Sequence, residues 1–168
     1  MMRSTKLFFI SILLCCFSVK ASANQECVVL LHGLARISNS MSELETKLTR
    51  SGFYVVNIKY PSRRHEIKIL AVDAIERGLT TCLGQQAEKI HFVTHSLGGI
   101  LVRLYFQKQY VSALGRVVML GPPNQGSEIV DSLLPVPGFR LLSGPTGVAL
   151  GTGPSSVLND LGPVDFDL

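Results

Sequence analysis

Charged residues are scarce in this sequence, and no part of it repeats. Only 17% of the 168 residues are Asp, Glu, Lys or Arg, whereas 46% are hydrophobic. This balance excludes the disordered and acidic-tail classes, because disordered chains combine high charge with few apolar side chains. The absence of a collagen period, of heptads and of repeats of about 20–50 residues excludes fibrous and solenoid architectures. The length fits one domain with its own hydrophobic core.

The N-terminus lacks a hydrophobic run long enough to cross a bilayer, which takes about 17–25 residues. Its uncharged segment, residues 7–19, has 13 residues, preceded by Arg3 and Lys6 and followed by Ala21-Ser22-Ala23. A basic start, a short apolar run and an Ala-x-Ala site are typical of a secretory signal peptide, and the short run disfavours the alternative of a membrane anchor. We therefore expect residues 1–23 to be a leader, residues 24–168 to be the domain, and the protein to be periplasmic or secreted.

The sequence has no basic stripe with interleaved aromatic residues, although its formal net charge is +4. Arg3, Lys6 and Lys20 lie in the predicted leader, so residues 24–168 carry 13 basic and 12 acidic side chains. We therefore predict no binding of nucleic acid. Arg63 and Arg64 are adjacent, and we expect them to lie in a solvated loop rather than at a phosphate site.

Motifs for several other chemistries are also absent. No G-x-G-x-x-G or G-x-x-x-x-G-K loop follows the first predicted strand, which argues against nucleotide binding. No H-E-x-x-H and no cluster of Cys and His at ligand spacing is present, so we predict neither a metal nor a cofactor. Outside the leader only Cys27 and Cys82 remain. In an exported protein this pair favours a disulfide, and two separate buried thiols are the alternative.

Short hydrophobic, β-branched runs alternate with helical patterns along the chain. Strands are predicted at 27–31, 54–58, 90–93 and 117–120, because continuous apolar runs of this length are typical of strands buried on both faces. Strands that alternate with helices indicate βαβ units. We therefore predict an α/β fold, a mostly parallel sheet with helices on both faces, and ligand chemistry at the carboxyl ends of the strands.

The helices are predicted from apolar spacing and from their start signals. Overlapping capping boxes, Ser40-x-x-Glu43 and Ser42-x-x-Glu45, predict the start of a helix that Gly52 ends. Further helices are predicted from about residue 65 to 83, from 97 to about 110, and over 127–133. Six glycines and five prolines make residues 134–168 an irregular segment, in which residues 165–168 could begin a fifth strand.

Three polar segments follow strand ends: His32-Gly33-Leu34, Thr94-His95-Ser96-Leu97-Gly98-Gly99 and Gly121–Ser127. The middle segment lies between a strand and a helix, which is the context of a nucleophile elbow. On these segments the sequence resembles the α/β-hydrolase family, over about residues 27–133. Within that family it is similar to the lipase and esterase branch, which includes bacterial triacylglycerol lipases and deacylases of lipid-anchored glycans.

The resemblance implies roles for residues at two of these strand ends. Ser96 matches the nucleophile, and the N–H groups of Leu34 and Leu97 match the oxyanion donors. Thr94 departs from the pattern, since it stands where the first glycine of the elbow would be. A serine that caps the helix at Leu97 is the alternative interpretation of Ser96. The residues that support the two motifs are His32, Gly33, His95, Gly98 and Gly99.

A serine hydrolase also needs a histidine base and an acid, which in this fold follow the serine along the chain. No histidine follows Ser96, because the four histidines are His32, His65, His91 and His95. None of the later acids matches the family's acid; these are Glu128, Asp131, Asp160, Asp165 and Asp167. The resemblance therefore implies an α/β-hydrolase domain that is shortened at its C-terminus.

Two functions follow as hypotheses. The first is an exported serine hydrolase that cleaves small-molecule or lipid esters, with transient contact to a membrane surface. The second is a non-catalytic hydrolase-like binding domain or an inactive fragment. The sequence assigns neither a substrate nor an oligomeric state.

Overall fold

The computed structural model describes residues 25–154, 156–164 and 166. The predicted leader over residues 1–23 lies outside the described residues. Of the predicted start of a fifth strand, only Phe166 is described, and it lies in a bend.

Four parallel strands form the sheet, in the order β2-β1-β3-β4. They are β1 (Glu26–Leu31), β2 (Tyr54–Ile58), β3 (Lys89–His95) and β4 (Leu114–Leu120). Five helices accompany them: α1 (Ser42–Arg50), α2 (Ile67–Gly84), α3 (Leu97–Phe106), α4 (Glu128–Leu133) and α5 (Phe139–Val148). Short 3₁₀ turns cover Ser38–Met41 and Val157–Asp160. The α/β class with a parallel sheet is therefore confirmed.

The sheet is buried on both faces where helices cover it. Alternate residues of a strand point to opposite faces, so Val29 and Leu31 pack with α2 and α3, while Val28 and Leu30 pack toward Met41 and α1. Strand β4 forms one edge of the sheet, and its Val118 is 45% exposed. Within the described part of the chain, none of the helices is both long and apolar enough to span a membrane.

Cys27 and Cys82 are joined by a disulfide in the structure. Both residues are fully buried, and their Cα atoms lie 5.8 Å apart. The bond links the beginning of β1 to the end of α2, across a sequence separation of 55 residues.

Helix α1 begins without the predicted capping boxes. The hydroxyl of Ser42 donates to the carbonyl of Asn39 at 2.8 Å, and the hydroxyl of Ser40 donates to that of Ile37 at 2.8 Å. Both hydroxyls therefore point back to the 3₁₀ turn that precedes the helix, and Met41 is the N-cap residue without a side-chain bond. The prediction of the helix was right, but the prediction of its caps was wrong because the turn offers nearer acceptors.

The C-terminal parts of α2 and α3 also differ from what the sequence pattern predicts. Leu83 near the end of α2 is 51% exposed, whereas its neighbour Cys82 is fully buried and bonded to Cys27. Helix α3 ends at Phe106 and not near Tyr110, which is 92% exposed.

The segment after α4 is more ordered than its composition predicts. Helix α5 lies within the predicted irregular region and passes through a kink at Gly144, whose φ of 66° suits glycine. Beyond it, Leu150, Val157 and Leu158 are buried against the core. The prediction of an irregular segment over residues 134–168 was wrong here, because tertiary packing outweighs the low helix propensity of Gly and Pro.

Candidate active site

Ser96 lies in the turn between β3 and α3, with φ 52° and ψ −115°. A non-glycine residue with positive φ is uncommon, and such a conformation persists only when its surroundings impose it. Here the N–H of Ser96 donates to the carbonyl of Leu120 at 2.9 Å, and its carbonyl accepts from the N–H of Gly99 at 3.0 Å. The turn is therefore fixed between the carboxyl end of β4 and the first turn of α3.

The side chain of Ser96 does not cap the helix. A capping serine has an extended backbone and accepts a bond from the second or third helical N–H. Ser96 has neither feature, since its backbone is strained and its hydroxyl makes no capping hydrogen bond. The capping alternative therefore does not describe this residue, and its hydroxyl remains available for chemistry.

Two glycines allow the backbone to pack closely around Ser96. A Cβ atom added to Gly98 would lie 2.6 Å from the carbonyl oxygen of Leu31, which is too short for a real contact. A Cβ atom added to Gly33 would lie 3.2 Å from Cβ of Ser96. The loop after β1 and the start of α3 thus meet at Ser96 only because these positions lack side chains.

Thr94 replaces the first elbow glycine without disturbing the turn. Its side chain is fully buried, and its hydroxyl donates to the carbonyl of Val118 at 3.3 Å. The additional side chain is therefore accommodated between β3 and β4.

Two backbone N–H groups, that of Leu97 next to Ser96 and that of Leu34 in the loop after β1, make no hydrogen bond to any described residue. The N–H of Leu97 is the first of α3, and the first N–H groups of a helix have no acceptor within it. The N–H of Leu34 is also unpaired among the described residues, whereas that of Ala35 donates to Ser62 Oγ at 3.1 Å and that of Arg36 to the carbonyl of Gly33 at 3.3 Å. These are the two groups that the sequence predicted as oxyanion donors.

His32 is fully buried beneath this loop and supports it. Its Nδ1 lies 2.9 Å from the carbonyl oxygen of Gly33, and its ring stacks on Tyr60 with 4.1 Å between the ring centroids. The hydroxyl of Tyr60 donates to the carbonyl of His32. Burial lowers the pKa of His32 below its ordinary value and raises that of Tyr60, so both rings stay neutral near pH 7.

Sequence reasoning missed Tyr60. The residue lies two positions after β2, and β2 neighbours β1 in the sheet. Only the strand order brings it to His32, so the sequence signal was limited to a tyrosine beside Pro61 at a strand end.

Within the described part of the chain, the other histidines make no hydrogen bond to Ser96. His95 is exposed, and its Nδ1 lies against Gly33 rather than along the elbow. His91 accepts from the N–H of Arg116 at 2.9 Å, and His65 accepts through its carbonyl from Thr146 at 2.5 Å.

The carboxylate–histidine pair in the described residues, Glu26 with Nε2 of His91 at 3.4 Å, lies near the starts of β1 and β3 and so at the opposite end of the sheet from Ser96. Asp131 accepts from the N–H of Thr152 at 3.0 Å and from its hydroxyl at 2.6 Å, which fixes α4 to the segment after α5. Among the described residues no hydrogen bond reaches the hydroxyl of Ser96, and no group of three potential ligands could hold a metal ion.

Of the comparisons with known proteins, only that with solved structures found matches. No family model matches, and no curated protein matches. The lipase BlEst2 of Bacillus licheniformis in its propeptide form is 21% identical, with a TM-score of 0.64 over 82% of this chain and 32% of that chain. Its mature form is 20% identical, with a TM-score of 0.61 over 82% of this chain and 59% of that chain.

A third structure, the esterase EaEST of Exiguobacterium antarcticum, is 17% identical, with a TM-score of 0.53 over 66% of this chain and 47% of that chain. This chain therefore spans less than two thirds of the length of each of these proteins.

Proposed function

We propose that this chain, whose parallel sheet with helices shares the fold of α/β-hydrolase structures, serves acyl-ester hydrolysis through Ser96. The Oγ of Ser96 attacks the ester carbonyl carbon while its proton passes to a base, and the N–H groups of Leu34 and Leu97 bind the developing oxyanion. The alcohol leaves with that proton. Water then cleaves the acyl-serine bond and releases the carboxylic acid.

One observation carries this proposal most directly. Ser96 has a strained backbone, its hydroxyl makes no hydrogen bond to a described residue, and the N–H of the adjacent Leu97 and that of Leu34, which follows the closely packed Gly33, have no partner among the described residues. A turn serine with a purely structural role would use its hydroxyl as a cap. A strained serine with a free hydroxyl and unpaired backbone N–H groups in the adjoining loops matches what acyl transfer requires.

The base and the acid are not assigned within the described residues. Without a base, a serine hydrolase retains about 10³–10⁴-fold catalysis over water from binding and its oxyanion donors. The proposal therefore expects full activity only when an acid and a histidine other than the four of this sequence complete the site.

Labelling by a fluorophosphonate probe and hydrolysis of short-chain p-nitrophenyl esters test the role of Ser96. We expect Ser96→Ala to abolish both signals, and the control Ser51→Ala, at an exposed position after α1, to retain them. A Ser96→Ala variant that is labelled as strongly as the unaltered protein would refute the assignment.

A second candidate function is a non-catalytic hydrolase-like binding domain or an inactive fragment. It is favoured by one observation, namely that no histidine follows Ser96 and none of the described ones makes a hydrogen bond to it. A purified chain that unfolds cooperatively as a monomer, yet shows neither labelling nor ester hydrolysis, would support it over the first.

Export is also part of the proposal, with residues 1–23 as the leader. The disulfide between Cys27 and Cys82 suits an oxidising compartment. N-terminal sequencing of protein recovered from the periplasm or medium should begin at Asn24. Recovery in the cytoplasm with Met1 retained would contradict this part.

A further inference from the structure

A cavity of ≈ 470 Å³ lies between the loop after β1 and the loop after β2. Residues 35–37 form one wall, and residues 59–64 form the other. Four of its side chains are basic, namely Arg36, Lys59, Arg63 and Arg64, and no acidic residue lines it. We call it the cationic cavity.

These four cations are not neutralised within the described part of the chain. None of them lies within 4.0 Å of a described carboxylate, whereas Lys47, Lys68 and Arg77 each pair with one. Residues 24–168 carry nearly equal numbers of basic and acidic side chains, so the cluster does not simply reflect a basic protein. Uncompensated charges of one sign around a cleft attract an ion of the opposite sign.

The walls of the cationic cavity are held by specific contacts. Ser62 is buried, and its Oγ accepts from the N–H of Ala35 at 3.1 Å, which ties the two loops together. Tyr60 is buried at the cavity, and its hydroxyl donates to the carbonyl of His32. The cations therefore surround a defined cleft and are not scattered over a mobile surface.

The four basic side chains differ in the hydrogen bonds that they make. Arg63 donates through Nη1 to the carbonyl of Leu142 at 3.0 Å, which places it at the edge of α5. Arg36, Lys59 and Arg64 are exposed and donate no side-chain hydrogen bond to any described residue. Their charged groups are free to bind a ligand.

The cationic cavity adjoins the candidate active site. Arg36 lines the cationic cavity and also a second cavity, which His95 and Leu120 border, and Leu120 accepts from the N–H of Ser96 at 2.9 Å. A ligand whose ester group lies at Ser96 would therefore reach the cationic cavity by extending past Arg36.

We propose that the cationic cavity binds the phosphate group of a phosphorylated ester substrate, an inference that rests on the proposed function for its ester part. One guanidinium group can donate two parallel hydrogen bonds to the oxygens of a phosphate. A cluster of several cations also matches the charge of a phosphate better than that of a carboxylate, which carries a single charge. Arg63 and Arg64 are exposed, as expected for residues of a solvated loop, but together with Arg36 they line this cavity. The phosphate could belong to an acidic glycerophospholipid or to a soluble phosphate ester.

Binding measured without any turnover tests the proposal. Glycerol 3-phosphate is titrated calorimetrically into the purified chain, and co-sedimentation is measured with phosphatidylcholine vesicles with and without phosphatidic acid. We expect Arg36→Gln/Arg64→Gln to weaken binding at least tenfold. The control Lys89→Gln/Lys108→Gln removes the same charge at exposed positions outside the cavity and should change binding less than twofold.

The outcomes separate the sources of the phosphate. Binding of glycerol 3-phosphate supports a soluble ester, and binding only to vesicles that contain phosphatidic acid supports a lipid. Equal losses in both double variants, no binding of either probe, or binding of a 20-nucleotide DNA strand alone would overturn the proposal.

Ser96→Ala keeps the two proposals distinguishable. It should retain phosphate binding, because the hydroxyl does not line the cavity. If fluorophosphonate labelling fails while phosphate binding persists, the hydrolase proposal fails and the phosphate site stands.

Discussion

At the scale of single residues, the backbone of Ser96 shows how the candidate site is organised. Its φ of 52° would be easier for glycine, and a conformation of this kind costs about 1–3 kcal/mol. The bonds to Leu120 and from Gly99 hold it in place. The hydroxyl is thereby kept away from the helix N–H groups that a relaxed serine would cap.

Replacing Ser96 with glycine should relieve this strain. We expect Ser96→Gly to raise the free energy of unfolding by about 1 kcal/mol, and Ser96→Ala to leave it within about 0.5 kcal/mol, because alanine keeps the strain. Urea denaturation of the three proteins measures the difference. A glycine variant less stable than the alanine variant would show that the turn is not strained.

His32 makes stability depend on pH. Burial lowers its pKa in the folded protein, so between that value and 6.5 the unfolded chain binds the proton more readily. The contribution of His32 to the free energy of unfolding is therefore fully present above pH 6.5. As the pH drops below 6.5, this one group should lower the free energy of unfolding by at most about 1.4 kcal/mol per pH unit.

Denaturation at several pH values between 5 and 7.5 measures this dependence. His32→Gln should be less stable at pH 7.5 but should show a flatter profile. An NMR titration of the imidazole gives an independent check, and a pKa of His32 at or above 6.5 would contradict the argument.

At the scale of elements, the sequence predicted most of the strands and helices that a local residue pattern determines. The four strands and helices α1 to α4 follow from hydrophobic runs, apolar spacing and stop signals. Helix α5 was missed because Gly144 and Pro145 lie inside it, and its order comes from distant partners. Thr146 donates to the carbonyl of His65, 81 positions away, and such contacts leave no local pattern.

The packing of α3 on β1 depends on Gly98. Its Cβ would lie 2.6 Å from a backbone oxygen, so Gly98→Ala must displace the helix from the strand. We expect a loss of about 2–3 kcal/mol in unfolding free energy, together with loss of Ser96 labelling. Gly84→Ala is the matched control, since nothing lies within 4 Å of its added methyl group, and it should gain about 0.5–1 kcal/mol. Equal effects of the two substitutions would contradict the close approach.

At the scale of the whole molecule, the candidate site is a product of strand order. The motif residues Leu34, Ser96 and Leu97 could be predicted because each belongs to a short segment with a familiar pattern. Tyr60 and the cationic cavity could not, because they arise only where the loop after β2 meets the loop after β1. Arg36 and Arg64 are 28 positions apart in the sequence, and only the sheet makes them neighbours.

The disulfide between Cys27 and Cys82 constrains the same part of the molecule, because it closes a loop that contains β1, α1, β2 and most of α2. For a loop of this length, the chain-entropy estimate gives a stabilisation of about 4 kcal/mol, a large share of a total of about 5–15 kcal/mol. We therefore expect reduction with dithiothreitol to lower the free energy of unfolding by about that amount.

Peptide mapping under non-reducing conditions should recover Cys27 and Cys82 in one cross-linked peptide. Alkylation of both residues in denatured, unreduced protein would contradict the bond. A stability loss below about 1 kcal/mol on reduction, with the bond present, would instead mean that the reduced unfolded chain already keeps β1 and α2 together.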